Sequence, residues 1–194
     1  MTCRHNNVQF HLCGGFCILL AFMFLLVPLR WLGAWLIAGA VHEFGHYTAL
    51  RLCGKRVYSI RADWNGIRME TEPLVKTQWI CALAGPVTSL LLILFYRYLP
   101  RIAICAFVQA IANLLPIYPL DGGRVLVGLL SFCFSEDTAH RVGAVVSAFV
   151  IALAAVASAH YIGHSFMTLV CLGILLFRAG FVKSTCKDGR LRVQ

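Results

Sequence analysis

The sequence predicts an all-α membrane protein: six transmembrane helices with a small membrane-surface β-hairpin between helices 2 and 3. Three observations carry that prediction. Hydrophobic residues make up 60% of the 194 residues and charged residues only 13%, with a mean hydropathy of +0.79, whereas soluble domains carry about 25% charge. Apolar runs recur at lengths that suit a bilayer. One sizeable polar interval separates them, and turn and strand formers cluster in it. A water-soluble fold of this size has too little interior to hide so much apolar surface, so lipid must be part of the solvent.

The apolar runs cover 13–29, 31–53, 79–96, 101–119, 142–160 and 164–182. At ~1.5 Å per residue, about 20 residues cross ~30 Å of hydrocarbon. The first run has no small-residue cleavage site, and a second span follows almost at once, so it is read as a retained span rather than a signal peptide. The polar interval, 54–78, holds Asn65-Gly66 between β-formers such as Val57, Tyr58, Ile60, Trp64 and Ile67. Asn-Gly between such residues is a strong hairpin signal, and the hairpin is expected over 57–70. Residues 1–182 then form a six-span domain and 183–194 a short basic tail.

The net charge is +9, and its distribution speaks for orientation rather than for nucleic acid. With six spans, both termini lie on one side, together with fourteen of the 17 basic residues; the other side holds Arg30, Arg97 and Arg101. Positive charge marks the cytosolic side, so both termini are expected in the cytosol of a multi-pass protein of the bacterial cell membrane. Contact with anionic lipid explains the remaining charge, and no nucleic-acid partner is expected. The nine cysteines are odd in number and show no CxxC spacing. Most lie in apolar runs, where cysteine packs as a small hydrophobe.

The chemistry is carried by His42-Glu43-Phe44-Gly45-His46, an HExxH inside the second apolar run. Residues four apart share one helix face, so both imidazoles can reach one metal ion. Glu43 is next to the first ligand, placed to take a proton from the attacking water and pass it to the leaving amine. Zinc is the ion such a site takes, because it acidifies water toward pKa ~7 and polarises a carbonyl. An ionisable residue at the centre of a membrane helix costs about 2.5–3.5 kcal/mol unless paired or metal-bound, and three lie here within five positions. The alternative, histidines resting in the headgroup layer, leaves that cost unexplained.

A catalytic zinc needs a third protein ligand. Of the eight acidic residues, only Glu43 and Asp121 lie in or against an apolar span. Asp121 belongs to Asn113-Leu-Leu-Pro-Ile-Tyr-Pro-Leu-Asp-Gly-Gly-Arg124. Pro116 and Pro119 break a helix there and free backbone carbonyls, which a membrane tolerates only where protein or a wet cavity satisfies them. Asp121 is therefore the expected third ligand of one Zn2+ per chain, the competing reading being a plain helix stop. Topology agrees. The second span ends inward at Arg51, which puts His46 about 7–8 Å beneath the cytosolic surface, and the fourth span also ends inward, at Asp121. The histidines at 5, 11, 140, 160 and 164 read as interface residues, the last three lying near span ends.

At these two motifs the chain resembles the site-2 protease family (M50) of intramembrane zinc metalloproteases. HEFGH matches the family's HExxH, NLLPIYPLDGG matches its NxxPxxPLDGG, and Ala84-Gly85-Pro86 is similar to a further family element. The six-span arrangement, over about residues 10–182, is similar to the bacterial subgroup typified by stage IV sporulation protein FB. The resemblance implies that His42, His46 and Asp121 bind zinc, that Glu43 is the catalytic base, and that Asn113 holds substrate or stabilises the oxyanion. It also implies that the hairpin receives substrate as an added strand. The nucleotide-sensing CBS domain of that subgroup and the PDZ domains of other members have no counterpart in the 194 residues, and nucleotide control in cis is not expected.

The expected function is hydrolysis of a peptide bond in or near the transmembrane segment of a membrane-tethered protein, close to the cytosolic face. The resemblance adds regulated intramembrane proteolysis, with a sporulation sigma-factor precursor as one substrate class and membrane inhibitor proteins as further partners. Two alternatives compete, a zinc-binding membrane transporter and a catalytically silent membrane partner. The first gives Glu43 no particular role, and the second is decided by co-expression with a candidate substrate.

Overall fold

The computed structural model of the chain describes residues 2–5, 8–63, 66–72 and 77–161. Contacts divide it into two compact units, one up to Ala112 and one from Asn113. The first holds a four-stranded sheet and helices α1 (Gly14–Leu26), α2 (Leu29–Leu52), α3 (Gln78–Leu91) and nearly all of α4 (Pro100–Leu114). The second holds α5 (Asp121–Leu130) and α6 (Glu136–Tyr161).

The expected hairpin is present as β3 (Val57–Asp63) and β4 (Gly66–Thr71), paired antiparallel with Asp63 opposite Gly66 and Ile60 opposite Met69. It is not alone. β1 (Thr2–His5) and β2 (Val8–Leu12) extend it, so the order is β1-β2-β3-β4, with β2 parallel to β3. This corrects the two-stranded expectation. Val8, Phe10 and Leu12 alternate with polar residues, the period of a strand, and β2 passes into α1 where the Cys13 N–H donates to the Ala62 carbonyl at 3.0 Å. At the β4 edge, Glu70 pairs with Arg61 at 3.3 Å.

α2 ends where glycine allows a reversal. Gly54 has φ +72°, the left-handed region that lacks a Cβ penalty only for glycine. The Gly54 N–H donates to the Arg51 carbonyl and the Lys55 N–H to the Leu50 carbonyl. These two bonds satisfy carbonyls that a helix C-terminus otherwise leaves open, and they turn the chain directly into β3. Ala49, Leu50, Val57 and Cys81 are packed together where α2, the sheet and α3 meet.

The cores are built from small side chains. Ala34 and Ala38 of α2 meet Cys105 and Ala106 of α4, and the Gln109 amide donates to the Trp35 carbonyl at 3.0 Å. On α2, a Cβ at Gly45 would come within 2.8 Å of the Ala84 carbonyl of α3, so that glycine sets how closely the two helices approach. In the second unit, a Cβ at Gly143 of α6 would stand 2.6 Å from Val127 of α5. Large apolar side chains point outward instead, with Ile18 72%, Leu25 82%, Leu94 77% and Phe149 68% exposed. Small residues inside and large apolar residues outside suit helices packed in lipid.

Among the described residues, two helical stretches are long and apolar enough to cross a membrane, Gln78–Phe95, in which a 3-10 turn (Leu92–Phe95) continues α3, and Glu136–Ala154 within α6. α1 and α4 are shorter apolar helices, and α2, with 24 residues, is diluted in hydropathy by Arg30, His42, Glu43, His46 and Arg51. The fourth run, read from sequence as 101–119, stops at Leu114 because Pro116 and Pro119 cannot continue a helix. A separate helix, α5, follows it that the sequence reading did not foresee. The sixth expected span, 164–182, and the basic tail, 183–194, lie outside the described residues.

Candidate metal centre and catalytic residues

The HExxH stands in the second half of α2, on the stretch that packs against α3. His42 is 4% exposed and His46 half-buried. Their rings meet edge to face, with centroids 4.8 Å apart. Each ring is held from behind. The His46 Nδ1–H donates to the Cys81 carbonyl at 2.8 Å; a carbonyl only accepts, so Nδ1 carries the hydrogen and Nε2 the lone pair. His42 Nδ1 lies 2.9 Å from the Ser89 Oγ. The two Nε2 atoms then converge at 3.2 Å.

That separation tests whether a metal fits. Two nitrogens bound at ~2.0–2.1 Å to a tetrahedral zinc stand about 3.3 Å apart, close to what the helix already imposes. Outer partners on ligating imidazoles fix ring orientation and tautomer, and here the Cys81 carbonyl and Ser89 Oγ supply them. The wall over the pair is Gly85. A Cβ there would stand 2.8 Å from His42 Nε2 and nearer still to His46 Nε2. This explains the glycine in Ala84-Gly85-Pro86, since any side chain would occupy the space the donor atoms face. Glu43 is half-buried on α2, beside His42.

The second unit presents Asp121. Its side chain is buried, at 7% exposure, in the first turn of α5, where the helix dipole favours a negative charge. The preceding turn is tight and contains a cis Tyr118–Pro119 bond. Glycine is required after it, because a Cβ at Gly122 would collide with the Leu114 and Leu115 carbonyls and one at Gly123 with Ile117 and Tyr118. The freed backbone finds a partner in α6: the Tyr118 N–H donates to the Ser147 Oγ at 2.9 Å, and the Ser147 hydroxyl donates to the Gly143 carbonyl at 2.7 Å. Asn113 lies half-buried in the last turn of α4.

The structure thus brings His42 and His46 together and seats Asp121 as a buried carboxylate on a broken-helix turn. Ser89, Ser147 and the Cys81 carbonyl were not singled out from sequence. Each acts over 29 to 47 positions of chain, and local spacing holds no signal for such pairs.

Comparison with known proteins bears on both parts. The sequence model of Peptidase family M50 matches residues 95–157, the stretch that carries Asn113 and Asp121 and not the HExxH. No curated protein matches the chain. Among solved structures, the site-2 protease from Methanocaldococcus jannaschii superposes with a TM-score of 0.67 at 16% identity, over 93% of each chain; at that identity the likeness establishes the fold. The partial family match and the shared fold point the same way as the HExxH helix: the chain is similar to peptidase family M50 over residues 95–157 and has the fold of a site-2 protease.

Proposed function

We propose that the chain is a zinc-dependent intramembrane endopeptidase that hydrolyses a peptide bond in or near the transmembrane segment of a membrane-tethered protein, close to the cytosolic face. The observation that carries the zinc reading is the pair of imidazole Nε2 atoms at 3.2 Å, each ring braced at Nδ1. His42, His46 and Asp121 would hold one ion, two imidazoles and a carboxylate being a donor set zinc takes. When bound, zinc supplies Lewis acidity, polarising the scissile carbonyl and acidifying a water toward pKa ~7.

The chain's own residues do the rest. Glu43, one position from His42, takes the proton of the attacking water and returns it to the leaving amine. The Asn113 amide donates to the carbonyl oxygen as charge develops on it. A helical substrate shields its peptide bonds, because each carbonyl is already bonded within the helix, so the substrate must unwind locally. β4 is an edge of the four-stranded sheet, and an unwound segment can pair with it as an added strand. The preferred substrate then carries helix-weakening residues at the cytosolic boundary of its membrane segment.

A multi-pass arrangement with cytosolic termini fits the charge asymmetry of the sequence. Regulated release of a membrane-tethered factor, such as a sporulation sigma-factor precursor, is one setting for this chemistry, with membrane inhibitor proteins as further partners. A transporter would use the same ligands but would give Glu43 no task. Co-expression with a membrane-tethered substrate tests the reading. A product must appear, a zinc chelator must suppress it, and Glu43→Gln must abolish it while zinc stays bound. Undiminished cleavage by Glu43→Gln would remove the protease mechanism.

A further inference from the structure

We propose that Ser89 is a positioning residue of the metal centre, its hydroxyl fixing the ring orientation and tautomer of His42. The inference rests on the reading that His42 binds zinc and adds a residue of α3 to that site. Three observations carry it. Ser89 is 0% exposed, and its Oγ lies 2.9 Å from His42 Nδ1. The α3 stretch around it is long and apolar enough to cross a membrane, a setting that penalises a hydroxyl without a partner. The two histidines are braced differently. His46 leans on the Cys81 carbonyl, which no substitution removes, whereas His42 leans on a side chain.

The chemistry follows from donor and acceptor roles. With Nδ1–H donating to the Ser89 Oγ, the lone pair of His42 stands on Nε2, the atom 3.2 Å from His46 Nε2. Without the hydroxyl, Nδ1 loses the partner that sets this tautomer. Loss of such an outer partner typically weakens metal affinity by about 10–100-fold. A purely steric role, in which Ser89 is only small enough for α3 to pack on α2, predicts that alanine serves equally well.

The test uses the full chain purified in detergent, with zinc affinity measured by competition against a chromophoric chelator and the ligand field read from the visible spectrum of the Co2+-loaded protein. Ser89→Ala is expected to weaken zinc by about 10–100-fold and to shift the Co2+ bands, with the metal-free protein still showing a cooperative melting transition. Ser89→Thr, which keeps the hydroxyl, is expected to restore both. Should Ser89→Ala fail to fold, Ser89→Cys, close in volume but a poor hydrogen-bond partner, is read by the same criteria. Zinc affinity within two-fold of wild type and an unshifted Co2+ spectrum would overturn the proposal. His42→Ala separates the two levels. If it too keeps wild-type affinity, the zinc reading itself falls; if it loses zinc while Ser89→Ala does not, only the role of Ser89 falls.

Discussion

Alanine at position 85 separates the needs of the helix from the needs of the site. Within α3, Gly→Ala is favourable by about 1 kcal/mol from helix propensity alone. Toward α2 it is not, since the new Cβ would stand 2.8 Å from His42 Nε2 and closer to His46. Ordinary contacts begin near 3.5 Å, so about 0.7 Å must be found at His42 and more at His46, by moving a ring or the helix. Metal–ligand distances hold to about ±0.2 Å, and a shift of that size takes at least one nitrogen out of range. Zinc affinity is expected to fall at least about 100-fold, or about 2.7 kcal/mol, and proteolysis with it. The assay is zinc content after gel filtration of Gly85→Ala, alongside thermal unfolding of the metal-free protein. Full zinc retention and activity would refute the placement of Gly85 against the donor atoms.

Other substitutions probe separate links. Glu43→Gln should lower turnover by about 10²–10⁴-fold with bound zinc unchanged, checked by product formation and metal analysis on the same preparation. Ser147→Ala leaves the half-buried Tyr118 N–H without this acceptor and should destabilise the chain by about 1 kcal/mol, measured by denaturant unfolding in micelles; unchanged stability would show that the turn before Asp121 does not depend on α6. Gly54→Ala places a Cβ at φ +72° and should cost about 1–2 kcal/mol, whereas a gain would show that α2 ends by another route.

Much of this architecture can be read along the chain because its signals are local. HExxH is written in five consecutive residues, and Pro116, Pro119 and Asp121 stand within six. The hairpin is announced by strand formers on both sides of Asn65-Gly66. β1 and β2 escape such reading because β2 pairs in parallel with a strand about 50 residues away, although the alternation of Val8, Phe10 and Leu12 is visible in hindsight. Hydropathy runs also overstate helices. Apolar residues continue through the 3-10 turn after α3 and through the turn at 115–120, and only the prolines mark the second break. The outer partners were illegible for the same reason as the sheet. Ser89 is an ordinary small residue in an apolar run until folding brings it to His42, and Ser147 until it meets Tyr118.

The most direct measurement is the zinc content of the purified full chain, for wild type and for His42→Ala, His46→Ala and Asp121→Ala. One zinc per wild-type chain, with loss in each variant while its helical content is kept, is the predicted result. Wild-type protein without tightly held metal, or an Asp121→Ala variant that holds zinc as firmly as wild type, would contradict a single ion shared by two imidazoles and one carboxylate.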